Sequence, residues 1–115
     1  MVTILRKNPL KLNPLQLRTL VLAQILAGDA NSSRKDEATG EVTLTRVPHG
    51  HGDHVHVGPY VVAARAASGF GNPAVWVALA RKNLARREEN GMIVVTPEGL
   101  AYDTGLMEEL AQSDH

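Results

Sequence analysis

The chain has 115 residues, 43% of them hydrophobic but only 3% aromatic, which fits one compact domain with an aliphatic core. It has no cysteine, which excludes disulfides, thiolate metal centres and a cysteine nucleophile, and its one Trp, one Phe and two Tyr are too few for a platform that stacks single-stranded bases. The formal net charge of zero is divided along the chain: residues 1–87 hold all twelve Lys and Arg against five acids, a formal +7, and residues 88–115 hold seven acids and no Lys or Arg, a formal −7.

The start, "MVTILRKNPLKLNP", lacks the apolar core and small-residue cleavage site of a signal peptide. No stretch approaches the roughly 18 apolar residues of a membrane span. The expectation is a cytoplasmic protein without membrane contact. "LNPLQLRTLVLAQILAG" (12–28) predicts the first helix. Asn13 is a suitable N-cap, Pro14 suits the first helical position and Gly28 closes the helix. Leu17, Leu20, Val21, Leu22, Ile25 and Leu26 form an apolar stripe wide enough for a central helix packed on more than one side.

"DANSSRKDEATG" (29–40) reads as a polar, flexible connector. "EVTLTRV" (41–47) and "HVHVG" (54–58) each alternate as strands do, and are expected to pair as a hairpin joined by "PHGHGD". "GPYVVAARAASG" (58–69) then reads as a short helix, "FGNP" as a turn and "NPAVWVALARKN" (72–83) as a second helix capped by Asn72 and Pro73. "LARREENGMIVVT" (84–96) reads as a hairpin, with Asn90-Gly91 expected in a type I′ turn. "PEGLAYDTGLMEELAQ" (97–112) predicts a C-terminal helical segment interrupted near Gly105, followed by a tail at 113–115.

Helix, tight turn, helix and hairpin over residues 58–104 resemble a winged helix-turn-helix domain. Bacterial regulators of the MarR-like and PadR-like groups often end the recognition helix with Leu, then Gly-Leu four residues on, then Arg. Leu79, Asn83-Leu84 and Arg87 stand in those places. Asn is the next best residue to Gly for a left-handed helix cap. After the wing such proteins often read L-T-x-E-G, and here the chain reads "VTPEG" at 95–99. The resemblance implies a single α+β winged-helix domain over residues 1–115, not an enzyme. Its second helix would enter the major groove of double-stranded DNA, in a regulator-like homodimer reading paired half-sites. Arg81, Lys82, Arg86 and Arg87 are the candidate phosphate contacts. The alternative for these residues is a solvated basic strand paired with Glu88 and Glu89.

A helical wheel with Val75 and Leu79 inward turns Ala74, Val77, Ala78 and Arg81 outward, with Trp76 at the core boundary. Direct readout of bases uses Arg, Lys, Asn or Gln. This face offers one Arg among small apolar side chains, so it also reads as a surface for a protein partner or for dimerisation through Ala74, Val77 and Ala78.

"HGHGDH" (49–54) resembles the metal motif of the metallo-β-lactamase-like hydrolases. Those enzymes need further ligands downstream, and after His56 this chain has only His115, so that class is excluded. A simpler site remains open. His49, His51, Asp53, His54 and His56 carry donors that suit a divalent transition metal such as Zn, Ni or Cu. The same imidazoles would repel one another on acidification, as a pH-responsive hairpin would. A Gly-rich loop also carries His with no ligand at all.

Overall fold

The computed structural model describes residues 8–46, 54–57 and 60–106. Helix α1 (Pro14–Ala27) starts with a reciprocal capping box. Gln16 N–H donates to Asn13 Oδ1 at 2.8 Å, and Asn13 N–H donates to Gln16 Oε1 at 2.9 Å. Thr19, Leu20, Val21, Leu22, Ala23 and Leu26 are buried, so the helix runs through the core with contacts on several sides, as its wide stripe requires. Gly28 ends it in a right-handed conformation, donating its N–H to the carbonyls of Gln24 and Ile25.

Residues 29–40 do not form a flexible connector. Asp29 accepts from Asn31 N–H and Ser32 Oγ, which turns the chain into strand β1 (Ser33–Lys35). β1 pairs antiparallel with β2 (Val42–Leu44) through a tight turn closed by Asp36 and Gly40, with Gly40 at φ 78°. The segment is polar because β1 is an edge strand whose Arg34 and Lys35 stay exposed.

The partner expected for β2 is also corrected. β2 pairs with β1 and with β6 (Ile93–Val95), and β6 pairs with β5 (Ala85–Arg87), giving a four-stranded antiparallel sheet in the order β1-β2-β6-β5. β3 (His54–Val57) pairs instead with β4 (Tyr60–Ala63) in a separate two-stranded ribbon. The helix expected over 58–69 therefore begins as a strand. The β-branched pair in "YVVA" favours extended backbone, and the Ala-rich stretch after it forms a 3₁₀ helix, Ala64–Gly71. Gly69 lets that helix lie against α1: a Cβ there would stand 1.9 Å from Thr19 Oγ1.

Helix α2 (Pro73–Arg81) follows, with Asn72 Oδ1 accepting from Ala74 N–H at 3.0 Å. Helix α3 (Pro97–Ala101) is a short C-terminal element. The longer helix expected over 97–112 thus stops at Ala101; the positions beyond 106, the tail included, lie outside the described residues. One core joins these parts. Leu44, Ala85, Ile93 and Val95 of the sheet meet α1, the ribbon residues Val55, Val57 and Val62, and the α2 residues Val75, Trp76 and Leu79. Trp76 is 2% exposed, inside the core and not at its boundary, and its indole N–H donates to the Phe70 carbonyl at 3.1 Å. The described part is a small α+β domain. No helix among the described residues is long and apolar enough to cross a membrane.

Candidate nucleic-acid interface

The end of α2 is set by a Schellman cap. Asn83 adopts φ 61°, its N–H donates to the Ala80 carbonyl at 3.0 Å, and Leu84 N–H reaches back to the Leu79 carbonyl at 3.0 Å. Leu79 and Leu84 are both buried beneath this cap. Asn83 thus takes the left-handed conformation expected of it as a helix cap.

The "VTPEG" stretch then locks the hairpin to the cap. Thr96 N–H donates to the Leu84 carbonyl at 3.0 Å. The Thr96 hydroxyl lies 2.7 Å from the Asn83 carbonyl and 3.0 Å from that of Leu84, and accepts from Gly99 N–H at 3.0 Å. Gly99 allows the close approach, because a Cβ at this position would stand 1.9 Å from the Leu84 carbonyl oxygen. One clamp therefore fixes the end of α2, the start of β5 and the return of β6.

The β5–β6 hairpin turns through Glu89, Asn90 and Gly91. Gly91 N–H donates to the Glu88 carbonyl and Glu88 N–H to the Met92 carbonyl, both at 2.8 Å. Gly91 is at φ 89° and Asn90 is not at positive φ, so the expected two-residue type I′ turn is replaced by a three-residue loop with Gly in the left-handed position. Asn90 Oδ1 accepts from Met92 N–H instead.

Strand geometry separates the four candidate cations. Successive side chains on a strand point to opposite faces. Arg86 is opposed in register to Val94 and Thr43 beyond it, on the face of the sheet away from α1. There its guanidinium grips Glu41 with two bonds of 2.8 and 3.0 Å, and its Nε donates to Glu88 at 2.6 Å. The Arg86 hydrogen bonds hold the Glu41 carboxyl below its ordinary pKa, outweighing the opposing effect of partial burial, while Glu41 first and Glu88 second push the Arg86 guanidinium upward. Arg86, expected as a phosphate contact, is engaged by two carboxylates and ties the β5–β6 hairpin to the β1–β2 hairpin. Arg87 shares a row with Ile93 and Leu44, on the α1 and α2 side of the sheet, and is exposed. Arg81 ends α2, Lys82 caps it, and both are exposed. Among the described residues no ion pair involves Arg81, Lys82 or Arg87.

On α2, Val75 and Leu79 are buried and Ala74 and Val77 exposed, as the wheel places them, while Ala78, expected outward, is half-buried. Ala80 is exposed as well. A shallow recess of about 360 Å³ lies between Pro73, Trp76, Val77 and Ala80 of α2 and Arg86, Arg87, Glu88, Glu89 and Gly91 of the β5–β6 hairpin, which bring charges of both signs to it. The sequence carried no sign of the Glu41–Arg86 pair, whose members are 45 positions apart. Alternation along β5 was enough, however, to part Arg86 from Arg87.

Of the candidate metal ligands, His49, His51 and Asp53 lie outside the described residues, as do the side chains of His54 and His56. The backbone of those two His stands on β3, at i and i+2, paired with Ala63 and Val61. No group of three or more metal-ligating side chains comes together among the described residues.

Comparison of the chain with protein-family models, with curated proteins and with solved structures finds no match.

Proposed function

We propose that the chain is a winged-helix module that binds duplex DNA through the end of α2 and the β5–β6 hairpin, in a regulator-like role and as a two-fold dimer. The order of α1, β2, the 3₁₀ helix, α2, β5 and β6, with β6 between β2 and β5 in the sheet, supports this reading. A winged helix holds its recognition helix and wing in such an arrangement. Fold alone does not assign function. The observation that carries the reading is therefore electrostatic: Arg81, Lys82 and Arg87 are exposed at α2 and the α2 side of the wing, while Arg86 is neutralised on the other face. Three cations beside a helix that offers one long polar side chain favour phosphate contacts over hydrogen-bonded base readout.

Binding of the protein to labelled random duplex DNA across a salt series tests this. Three phosphate contacts per protomer, six in the dimer, give a log–log slope of about −5.4. No binding at low salt would overturn the reading. A second reading rests on Val77, which is 50% exposed on the outer face of α2. There the Ala74, Val77 and Ala78 surface packs against a protein, either a partner or a second copy. Under that reading Val77→Asp changes the sedimentation profile or abolishes partner binding, while DNA has no effect.

A further inference from the structure

The outward face of α2 is chemically uniform. Ala74, Val77 and Ala80 are exposed and Ala78 is half-buried. Val77 is one of two large hydrophobic residues that remain exposed among the described residues; the other, Val61, is on β4. Of the nine residues of α2, Arg81 and Trp76 alone carry side-chain hydrogen-bond donors, and the Trp76 indole N–H is already used by the Phe70 carbonyl. Arg81 is the last residue of the helix, so the preceding turns present methyl groups only.

In the major groove, guanine, cytosine and adenine present donors and acceptors, and thymine adds a C5-methyl. A face of Ala and Val laid against a guanine or cytosine edge removes water from polar groups without replacing its hydrogen bonds, which is unfavourable. An A·T pair also presents polar groups, thymine O4 and adenine N6 and N7, but it alone adds a C5-methyl that the same face can bury on its own methyl groups. The cations that could meet a phosphate backbone are Arg81 and Lys82 at the helix end and Arg87 on the facing wall of the recess, a wall that Arg87 shares with Glu88 and Glu89.

We infer that α2 discriminates bases through the C5-methyl of thymine, with Val77 as the contact and Ala74 and Ala78 as the low ground that lets the helix approach. This rests on the reading of the chain as a duplex-DNA binder and adds the chemical class of site that it prefers: A·T-rich sequence recognised by its methyl groups.

Deoxyuridine in place of thymidine removes that methyl and leaves the hydrogen-bonding edges unchanged. The test measures affinity for a mixed-sequence, A·T-rich duplex and for its uridine counterpart, across the same salt series. The uridine duplex is expected to bind roughly fourfold more weakly per methyl contacted, the ratio that corresponds to burying about one CH₂. The salt slope is expected to stay the same, because the phosphates are unchanged. Val77→Ala, at a half-exposed helical position, is expected to keep the fold and to narrow the gap between the two duplexes. Equal affinity for both duplexes with the salt slope intact would overturn methyl readout and leave DNA binding standing. Binding to neither duplex at low salt would overturn both. Equal affinities together with a change in oligomeric state in Val77→Ala would give the face to a protein contact.

Discussion

Arg86 and Arg87 are neighbours in sequence and do opposite things in the fold. On the outer side of the sheet, Arg86 closes on Glu41 and Glu88, and its charge is spent inside the molecule. On the α2 side, Arg87 stands exposed on a wing whose partner helix ends in Arg81 and Lys82. The difference shows that a run of cations on a strand is not one patch. Alternation sorts it into a structural half and a half available to an anion. Arg86 ties the β5–β6 hairpin to Glu41, and Arg87 is left for the proposed contact.

Several substitutions press on that division. The largest effect is expected where both halves depend on one clamp. Gly99→Ala places a methyl against the Leu84 carbonyl, which forces the cap of α2 and the return of β6 apart. A loss of about 2–3 kcal/mol in stability is expected by chemical denaturation, with DNA affinity falling as the wing and α2 lose their register. A stability change within about 0.5 kcal/mol, as for an ordinary surface site, would show that the clamp is dispensable. Next is the open half alone. Replacing Arg81 and Lys82 together by Ala is expected to weaken duplex binding by roughly tenfold or more and to make the salt slope shallower by about 3.6, two phosphate contacts in each protomer of the dimer. The melting temperature is expected to hold, since both side chains are exposed.

The structural half gives smaller effects of the opposite kind. Arg86→Ala breaks a bidentate pair between half-exposed groups and is expected to lower stability by up to about 1 kcal/mol. A loss of DNA affinity without a loss of stability would move Arg86 to the other side of the comparison. The smallest effect is in pH. Because Arg86 holds the Glu41 carboxyl below its ordinary value of 4.5, the pair contributes stability above that value and loses it as the pH falls through the lower folded-state pKa. Glu41→Gln is therefore expected to be less stable than the parent chain near neutrality, by less than about 1 kcal/mol, with the two converging under acid. Parallel stability curves across the acid range would remove the ion pair from that role.

Local chemistry made α1, α2 and the β5–β6 hairpin legible in the sequence. The Asn13 box, the Asn72 cap and the left-handed Asn83 are short-range signals, and each stands where its residues pointed. Pairing between distant strands was not legible. The alternation in 41–47 and 54–58 marks both as strands but carries no information on partners, and β2 found β6 some fifty positions away. "YVVA" fits an apolar helical face as well as a strand, and only its ladder with β3 decides between them. Asn90-Gly91 fits a two-residue or a three-residue loop, because Gly alone suffices for the left-handed position of the second. In the candidate interface, burial of Val75 and Leu79 was what the winged-helix resemblance implied and helical period then turned Ala74 and Val77 outward, whereas the neutralisation of Arg86 required Glu41 to be brought across the sheet.

The most direct measurement compares Arg86→Ala with Arg87→Ala in duplex DNA binding across one salt series, with the parent chain alongside. The expected result is a slope shallower by about 1.8 for Arg87→Ala, one phosphate contact in each protomer of the dimer, and an unchanged slope for Arg86→Ala. Equal slopes for the two variants, or a parent chain that does not bind duplex DNA at low salt, would contradict the division of the wing into a structural and a nucleic-acid side.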